Sequence, residues 1–127
     1  LVTETCYWEQ KHHLTEKIFK PIVSRMPFVL MGPAHNLKYL REYGFKTFDR
    51  WIDESYDDIE DPVLRMRAIG DTMSNICSHS ESELYDMLQE MIPILEHNYI
   101  LFYSNEFLDY CWSELLDNMR SVISSTQ

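Results

Sequence analysis

The residues of this chain best suited to bind a ligand lie where a loop is predicted to enter a helix, in the segment His12-His13-Leu14-Thr15-Glu16-Lys17. In open α/β sheets, ligands bind at the carboxyl ends of strands, toward which helix N-termini point. Free N–H groups and the helix dipole attract a phosphate there. Lys17 and Lys20, one helical turn apart, would add positive charge, and Glu16 could accept hydrogen bonds from sugar hydroxyls. The segment therefore predicts a site for a phosphorylated sugar or nucleotide.

The same residues also make a good helix start that needs no ligand. The Thr15 hydroxyl can accept a hydrogen bond from the first free N–H groups of a helix. Glu16 then lies at the positive end of the helix dipole. In this interpretation Glu16 and Lys17 are ordinary solvated charges, and their spacing alone does not decide between the two readings of the segment.

Alternating strands and helices are predicted to position this segment, which indicates an α/β fold with a short parallel sheet of two or three strands, half of a Rossmann-like lobe. Apolar runs bounded by Pro and Gly are typical of strands buried on both faces of such a sheet. The predicted elements, in order, are a strand over residues 1–5, a helix from Thr15 that continues past Pro21, a strand over 28–31, a helix opened by Gly32-Pro33 and closed by Gly44, and optionally a third strand over 45–48.

The rest of the chain is predicted to form a helical C-terminal region of three or more helices. Their starts are marked by Asp61-Pro62, by Ser80 to Ser82 and by Ser104, which are residue types that favour helix N-termini. The last helix carries an apolar stripe expected to face the core, and its methionine is expected to fill the core. The stripe consists of Leu108, Cys111, Leu115, Met119 and Val122. Residues 1–127 are thus predicted to be one domain, with an α/β part over 1–50 and a helical part over 51–127.

Charge is divided unevenly between these two parts. Residues 1–50 carry eight basic and five acidic side chains, whereas residues 51–127 carry three and sixteen, for a net charge of −10. This balance argues against a nucleic-acid partner, since phosphate contacts need clustered cations. A small anion would bind in the first part. Acidic helical surfaces that only aid solubility would explain the second part without any ligand.

Composition also bears on location and on metal binding. No apolar run approaches the roughly 20 residues of a membrane span, and no basic-then-apolar leader is present. Cys6, Cys77 and Cys111 are far apart and have no metal-ligand spacing, so we expect reduced core thiols in a cytoplasmic protein. Residues 53–61 hold many carboxylates without the spacing of a calcium loop, and acids also gather before helix N-termini. No metal and no cofactor are predicted.

A family resemblance rests on the order of several short motifs over residues 1–48. These motifs are Leu1-Val2-Thr3-Glu4-Thr5, Leu14-Thr15-Glu16-Lys17, Met26-Pro27-Phe28-Val29-Leu30-Met31-Gly32-Pro33, Asn36-Leu37 and Phe45. They resemble the nucleotide-binding lobe of fucosyltransferase-like glycosyltransferases, in which a strand ending in Phe-Glu-Asn is followed by Val-Thr-Glu-Lys and by Val-Pro-Val-Val-x-Gly-Pro. Over its whole length the chain also resembles uncharacterised viral and bacterial sequences, which imply no function.

The resemblance implies roles for individual residues. Glu16 would hold the ribose of a nucleoside-diphosphate sugar and Lys17 its diphosphate, while Glu4 matches the Glu that ends the preceding strand. Thr5 and Cys6 stand where the family has Asn and Ser. Such enzymes have two lobes, so the resemblance implies that the chain is a fragment of a larger protein. The lobe that normally carries the general base is missing, and no catalytic residue is assigned.

The predicted binding site for the nucleotide sugar therefore consists of Glu4, Thr15, Glu16, Lys17, Lys20 and Gly32, with Gly32 allowing close backbone approach from the second strand. The alternative function is a non-enzymatic interaction module whose acidic helices bind a partner. So short a sheet leaves exposed edges, which a homodimer or a missing N-terminal lobe would cover.

Overall fold

The computed structural model describes residues 1–8 and 14–125, so His12 and His13 of the predicted ligand-binding segment lie outside the described residues. The described elements are two strands, five α-helices and one short 3-10 helix, and 66% of the described residues are helical. In order they are β1 (Val2–Thr3), α1 (Glu16–Val23), β2 (Leu30–Met31), α2 (Asn36–Glu42), the 3-10 helix (Ser55–Asp58), α3 (Pro62–Ser78), α4 (Glu81–Phe102) and α5 (Asn105–Ser125).

The two strands form a parallel sheet, as predicted. Val2 lies opposite Leu30 and Thr3 lies opposite Met31, with α1 as the crossover between the strands. The ladder extends by one residue, because the Glu4 N–H donates to the carbonyl of Met31 at 2.9 Å. The prediction of a short parallel sheet followed by a helical C-terminal region is therefore confirmed.

The optional third strand is not formed, since residues 45–48 are irregular. Their backbone groups bind side chains instead of a neighbouring strand. Asn98 of α4 accepts a hydrogen bond from the Lys46 N–H and donates one to the Lys46 carbonyl. The Phe48 N–H donates to the carboxylate of Glu54 at 2.8 Å. Because these backbone groups are already hydrogen-bonded to side chains, the segment does not have to pair with a strand of the sheet.

Helix α2 begins three residues later than predicted, at Asn36 instead of Pro33. The start is set by Asp57 of the 3-10 helix, whose two carboxylate oxygens accept hydrogen bonds from the N–H groups of Leu37 and Lys38 at 2.9 and 3.0 Å. His35 precedes the helix and makes no side-chain cap. The cap therefore comes from a residue 20 positions away, which local sequence signals cannot indicate.

The helix starts marked by local signals are confirmed. Asp61 accepts hydrogen bonds from the N–H groups of Val63 and Leu64 at the start of α3. Ser80 and Glu83 form a reciprocal capping box at the start of α4. Ser104 accepts from the N–H of Phe107 in the first turn of α5. Pro21 lies inside α1, as predicted.

The buried core lies between the sheet, α1, α2 and the middle of α4. Its largest fully buried side chains come from α1, β2, α2 and the segment that follows α2. Met91 and Leu95 of α4 belong to the same cluster, and α1 packs directly on α4. Beyond the end of α1, Arg25 binds Glu96 at 2.8 Å and stacks on the ring of Tyr99. The core thus extends from the α/β part into the helical part.

Two predictions about burial are wrong. Cys77 is exposed and Cys6 and Cys111 are only partly buried, although all three are free thiols. The stripe predicted to bury α5 lies largely at the surface, with Leu108, Leu115, Met119 and Val122 all exposed.

Within the described residues, no helix combines the length and the apolar character needed to cross a membrane.

Candidate functional site

Helix α1 begins at the carboxyl end of β1, where Glu4 and Thr15 are joined. Thr15 donates hydrogen bonds from its N–H and its hydroxyl to the two carboxylate oxygens of Glu4, at 3.3 and 2.5 Å. The Thr15 hydroxyl in turn accepts from the Lys17 N–H at 3.3 Å. Glu4 is buried. Its carboxylate therefore holds the start of the helix against the end of the strand.

Lys17 lies in the first turn of α1, and its ammonium reaches the end of β1. The Lys17 Nζ donates a hydrogen bond of 2.6 Å to the hydroxyl of Thr5. Lys20 lies one turn further along the helix and is exposed. The ammonium of Lys17 is thus at the carboxyl end of a parallel strand, which is where ligands of open α/β sheets bind.

Both lysines line one open cleft of about 410 Å³ between β1, α1 and the segment that leads into β2. This volume is within the range of small-molecule sites, roughly 300–1,000 Å³. Among the described residues, the lining contains two lysines and no carboxylate, and it is otherwise apolar or neutral. The remaining lining residues are Leu1, Val2, Thr3, Pro21, Ser24, Met26, Pro27 and Phe28.

The other four predicted site residues do not line this cleft; they are Glu4, Thr15, Glu16 and Gly32. Glu16 is exposed in the first turn of α1. Gly32 is buried, and a Cβ there would lie 2.7 Å from the amide nitrogen of Asn36. Its carbonyl accepts a hydrogen bond from Arg65. The lack of a side chain at Gly32 therefore makes room for Asn36.

Arg65 is a buried cation whose guanidinium is already hydrogen-bonded to carbonyl groups. Its guanidinium donates to the carbonyls of Tyr7, Gly32, Ile59 and Glu60, at 2.7 to 3.1 Å, and it stacks on the ring of Tyr7. These bonds leave Arg65 in a structural role. Lys17 and Lys20, by contrast, are described cations that line the open cleft beside the sheet.

The acidic residues of the 53–61 segment also act within the structure. Glu54 accepts hydrogen bonds from the Phe48 N–H and the Thr47 hydroxyl, and it pairs with Arg41 at 2.5 Å. Burial raises the pKa of Glu54 above its usual range, although these partners act in the opposite direction. Asp57 and Asp61 cap α2 and α3. In the described part of the chain, no group of three or more His, Cys, Asp or Glu residues could hold a metal ion.

Sequence reasoning missed the positioning roles of Asp57, Asn98 and Arg65. Each acts on backbone groups of a segment distant in sequence. The acid-rich composition of residues 53–61 was the one available signal for Asp57, and it did not indicate which helix the carboxylate would cap.

No model of a known protein family, no curated protein and no solved structure matches this chain. The resemblance to fucosyltransferase-like enzymes therefore stays a prediction from the motifs. The features of the structure that bear on function are the cleft and the surface of the helices.

Proposed function

We propose that the α/β part binds a nucleoside-diphosphate sugar through its diphosphate, as the donor-binding part of a glycosyltransferase. The observation that carries this proposal is the cleft beside β1, which Lys17 and Lys20 both line and to which none of the described residues contributes a carboxylate. A diphosphate needs at least two cations or N–H donors nearby, and a neighbouring carboxylate would repel it.

Each predicted residue has a place in this proposal. The partly buried Lys17 would contact the diphosphate, and Lys20 would contribute from the next turn. Glu16, exposed at the rim of the helix start, would accept hydrogen bonds from ribose hydroxyls. Glu4 and Thr15 would act as positioning residues, since their hydrogen bonds hold the first turn of α1 and with it Lys17. No residue is proposed as catalytic.

The experiment is a calorimetric titration with uridine, guanosine and adenosine diphosphates and their common sugar conjugates. A charged hydrogen bond to phosphate contributes about 1.5–3 kcal/mol, so Lys17→Ala should weaken binding roughly ten- to a hundredfold. Lys38→Ala is the matched control, because Lys38 is exposed on α2 and does not line the cleft. Equal losses in the two variants, or no binding by the unmodified chain at about millimolar nucleotide, would contradict the proposal.

A second candidate function is a helical interaction module, and a different observation favours it. Large apolar side chains are exposed on all three C-terminal helices, including Val63 and Leu64 on α3, Tyr85 on α4 and Trp112 on α5. Exposed apolar side chains mark protein-protein contact surfaces where they form a contiguous patch. This function predicts association with protein and no response to nucleotides, so the same titration separates the two candidates.

A further inference from the structure

Helix α5 has two distinct faces, and only one of them packs on the rest of the molecule. Phe107 packs on the rings of Phe45 and Phe102. Glu114 accepts hydrogen bonds from the hydroxyls of Tyr39 and Tyr43. Residues 107, 110 and 114 share one side of a helix, so this side holds α5 against α2 and the core.

The other face carries an apolar stripe with a regular spacing. Leu108, Trp112, Leu115, Met119 and Val122 follow one another at intervals of four, three, four and three residues, and their side chains are 47–64% exposed. This is the spacing of the a and d positions in a coiled coil. Since α5 is already anchored through another side, its stripe is left facing outward.

Uncharged residues border most of the stripe. Leu116 and Ile123 widen it on one flank and are exposed, while Cys111 and Asn118 lie on the other flank. Most charged residues of α5 lie on the remaining circumference. They are Glu106, Glu114, Asp117 and Arg120, and Asp109 alone lies near the stripe. Two chains of net charge −10 could therefore bring these faces together without placing facing carboxylates in the centre of the contact.

The exposed area fits the size of a dimer interface. The stripe and its two apolar neighbours are seven large side chains that are about half exposed, which corresponds to about 700 Å² of surface per chain. A standard interface buries about 800 Å² on each partner, and the largest apolar patch of a typical monomer is about 300–600 Å². The face is thus large enough for a stable contact.

We propose that this face binds a second copy of the chain, with the two α5 helices antiparallel about a two-fold axis that passes between Leu115 and Leu116. Leu115 is the middle of the stripe, and this arrangement sets Trp112 opposite the partner's Met119. A flexible methionine accommodates an indole ring better than a second indole would. Because the first half of α5 carries the body of the molecule, antiparallel pairing also keeps the two acidic bodies at opposite ends.

The test is the oligomeric state measured by sedimentation equilibrium at about 1–100 µM protein. The unmodified chain should be a dimer, and Leu115→Glu should raise the dissociation constant at least about a hundredfold. Ser113→Glu is the matched control, because it adds the same charge on an exposed position away from the stripe. A monomeric unmodified chain, or equal dissociation of both variants with unchanged circular dichroism, would overturn the proposal.

A mixing experiment tests the orientation. Trp112→Glu and Met119→Lys should each dissociate when alone, since each buries a charge against an apolar partner. In an antiparallel pair, mixing the two variants sets the new Glu opposite the new Lys and restores a heterodimer. Failure of the mixture to associate would overturn the antiparallel arrangement. Only in that arrangement does the new Glu of one variant face the new Lys of the other.

Discussion

The side-chain amide of Asn98 binds both backbone polar groups of Lys46, accepting a hydrogen bond from the N–H and donating one to the carbonyl, each at 2.8 Å. Asn98 is 1% exposed and comes from the C-terminal part of α4. This pair of bonds imitates the pairing that a neighbouring strand would supply. It joins the segment after α2 to the helical part of the molecule.

Replacing this amide should therefore destabilise the whole molecule. Asn98→Ala removes both hydrogen bonds and leaves the backbone groups of Lys46 without these partners, so the free energy of unfolding should fall by about 2–4 kcal/mol. Urea denaturation followed by circular dichroism measures the loss. Asn75→Ala, at an exposed position of α3, should change stability by less than about 0.5 kcal/mol. A loss as small as that in Asn98→Ala would refute the assigned role.

A second variant tests the cap of α2. Asp57→Ala removes the carboxylate that accepts from the N–H groups of Leu37 and Lys38, and we expect a loss of about 1–2 kcal/mol. Asp58→Ala is the neighbouring control, because its side chain is 83% exposed and its contact with His35 is a surface pair. From highest to lowest unfolding midpoint, the expected order is the unmodified chain, then Asp58→Ala, then Asp57→Ala. A reversal of the two variants would show that the cap contributes little.

The pH dependence of stability should carry a contribution from Glu54. Its pKa is raised in the folded protein by burial, so its titration favours folding at low pH and costs stability as the pH rises through the folded pKa. Glu54→Gln lacks this titration and should gain stability relative to the unmodified chain as the pH rises above the ordinary glutamate pKa of about 4.3. Denaturation midpoints at increasing pH measure the difference. Glu106→Gln, at an exposed position of α5, is the control for the change from carboxylate to amide.

Salt should act in opposite directions on the two proposed binding events. Diphosphate binding at Lys17 and Lys20 is an attraction of opposite charges and should weaken as ionic strength rises. Self-association through α5 joins two chains of net charge −10 by apolar contact, so screening should strengthen it. Dissociation constants measured at about 0.05 and 0.5 M salt test both signs. A dimer that dissociates at high salt would point to ion pairs in the contact and away from the apolar stripe.

The parts of the fold that were predictable from sequence depend on neighbours in the chain. Thr15, Asp61 and Ser80 cap helices that begin one residue later, so the residue type and the following pattern are enough to find them. The two strands were found from their short apolar or β-branched runs. The start of α2 and the irregular segment after it were missed, because Asp57 and Asn98 act over 20 and 52 residues of sequence.

The candidate site shows the same division. The position of Lys17 at the end of β1 follows from the order of strand, loop and helix start. Sequence alone could not tell that the Glu4 carboxylate binds Thr15, or that Gly32 makes room for Asn36. The predicted periodic pattern of α5 shares four residues with the exposed stripe but contained Cys111 in place of Trp112. A period indicates that one face is apolar, but it does not say whether that face meets the molecule's own core.

Arg65 couples residues 1–8 to α3, so that each of the two segments stabilises the other. Its guanidinium binds carbonyls of residues that precede it by 5, 6, 33 and 58 positions, so residues 1–8, the end of β2 and α3 have to be in place together. If residues 1–8 detached from the rest of the molecule, the buried Arg65 guanidinium would lose its contacts with the Tyr7 ring and carbonyl. The loss of these contacts would destabilise α3. The amide groups at the start of α3 and those of β1 should therefore exchange with solvent in one cooperative opening, although nearly 60 residues separate them in sequence.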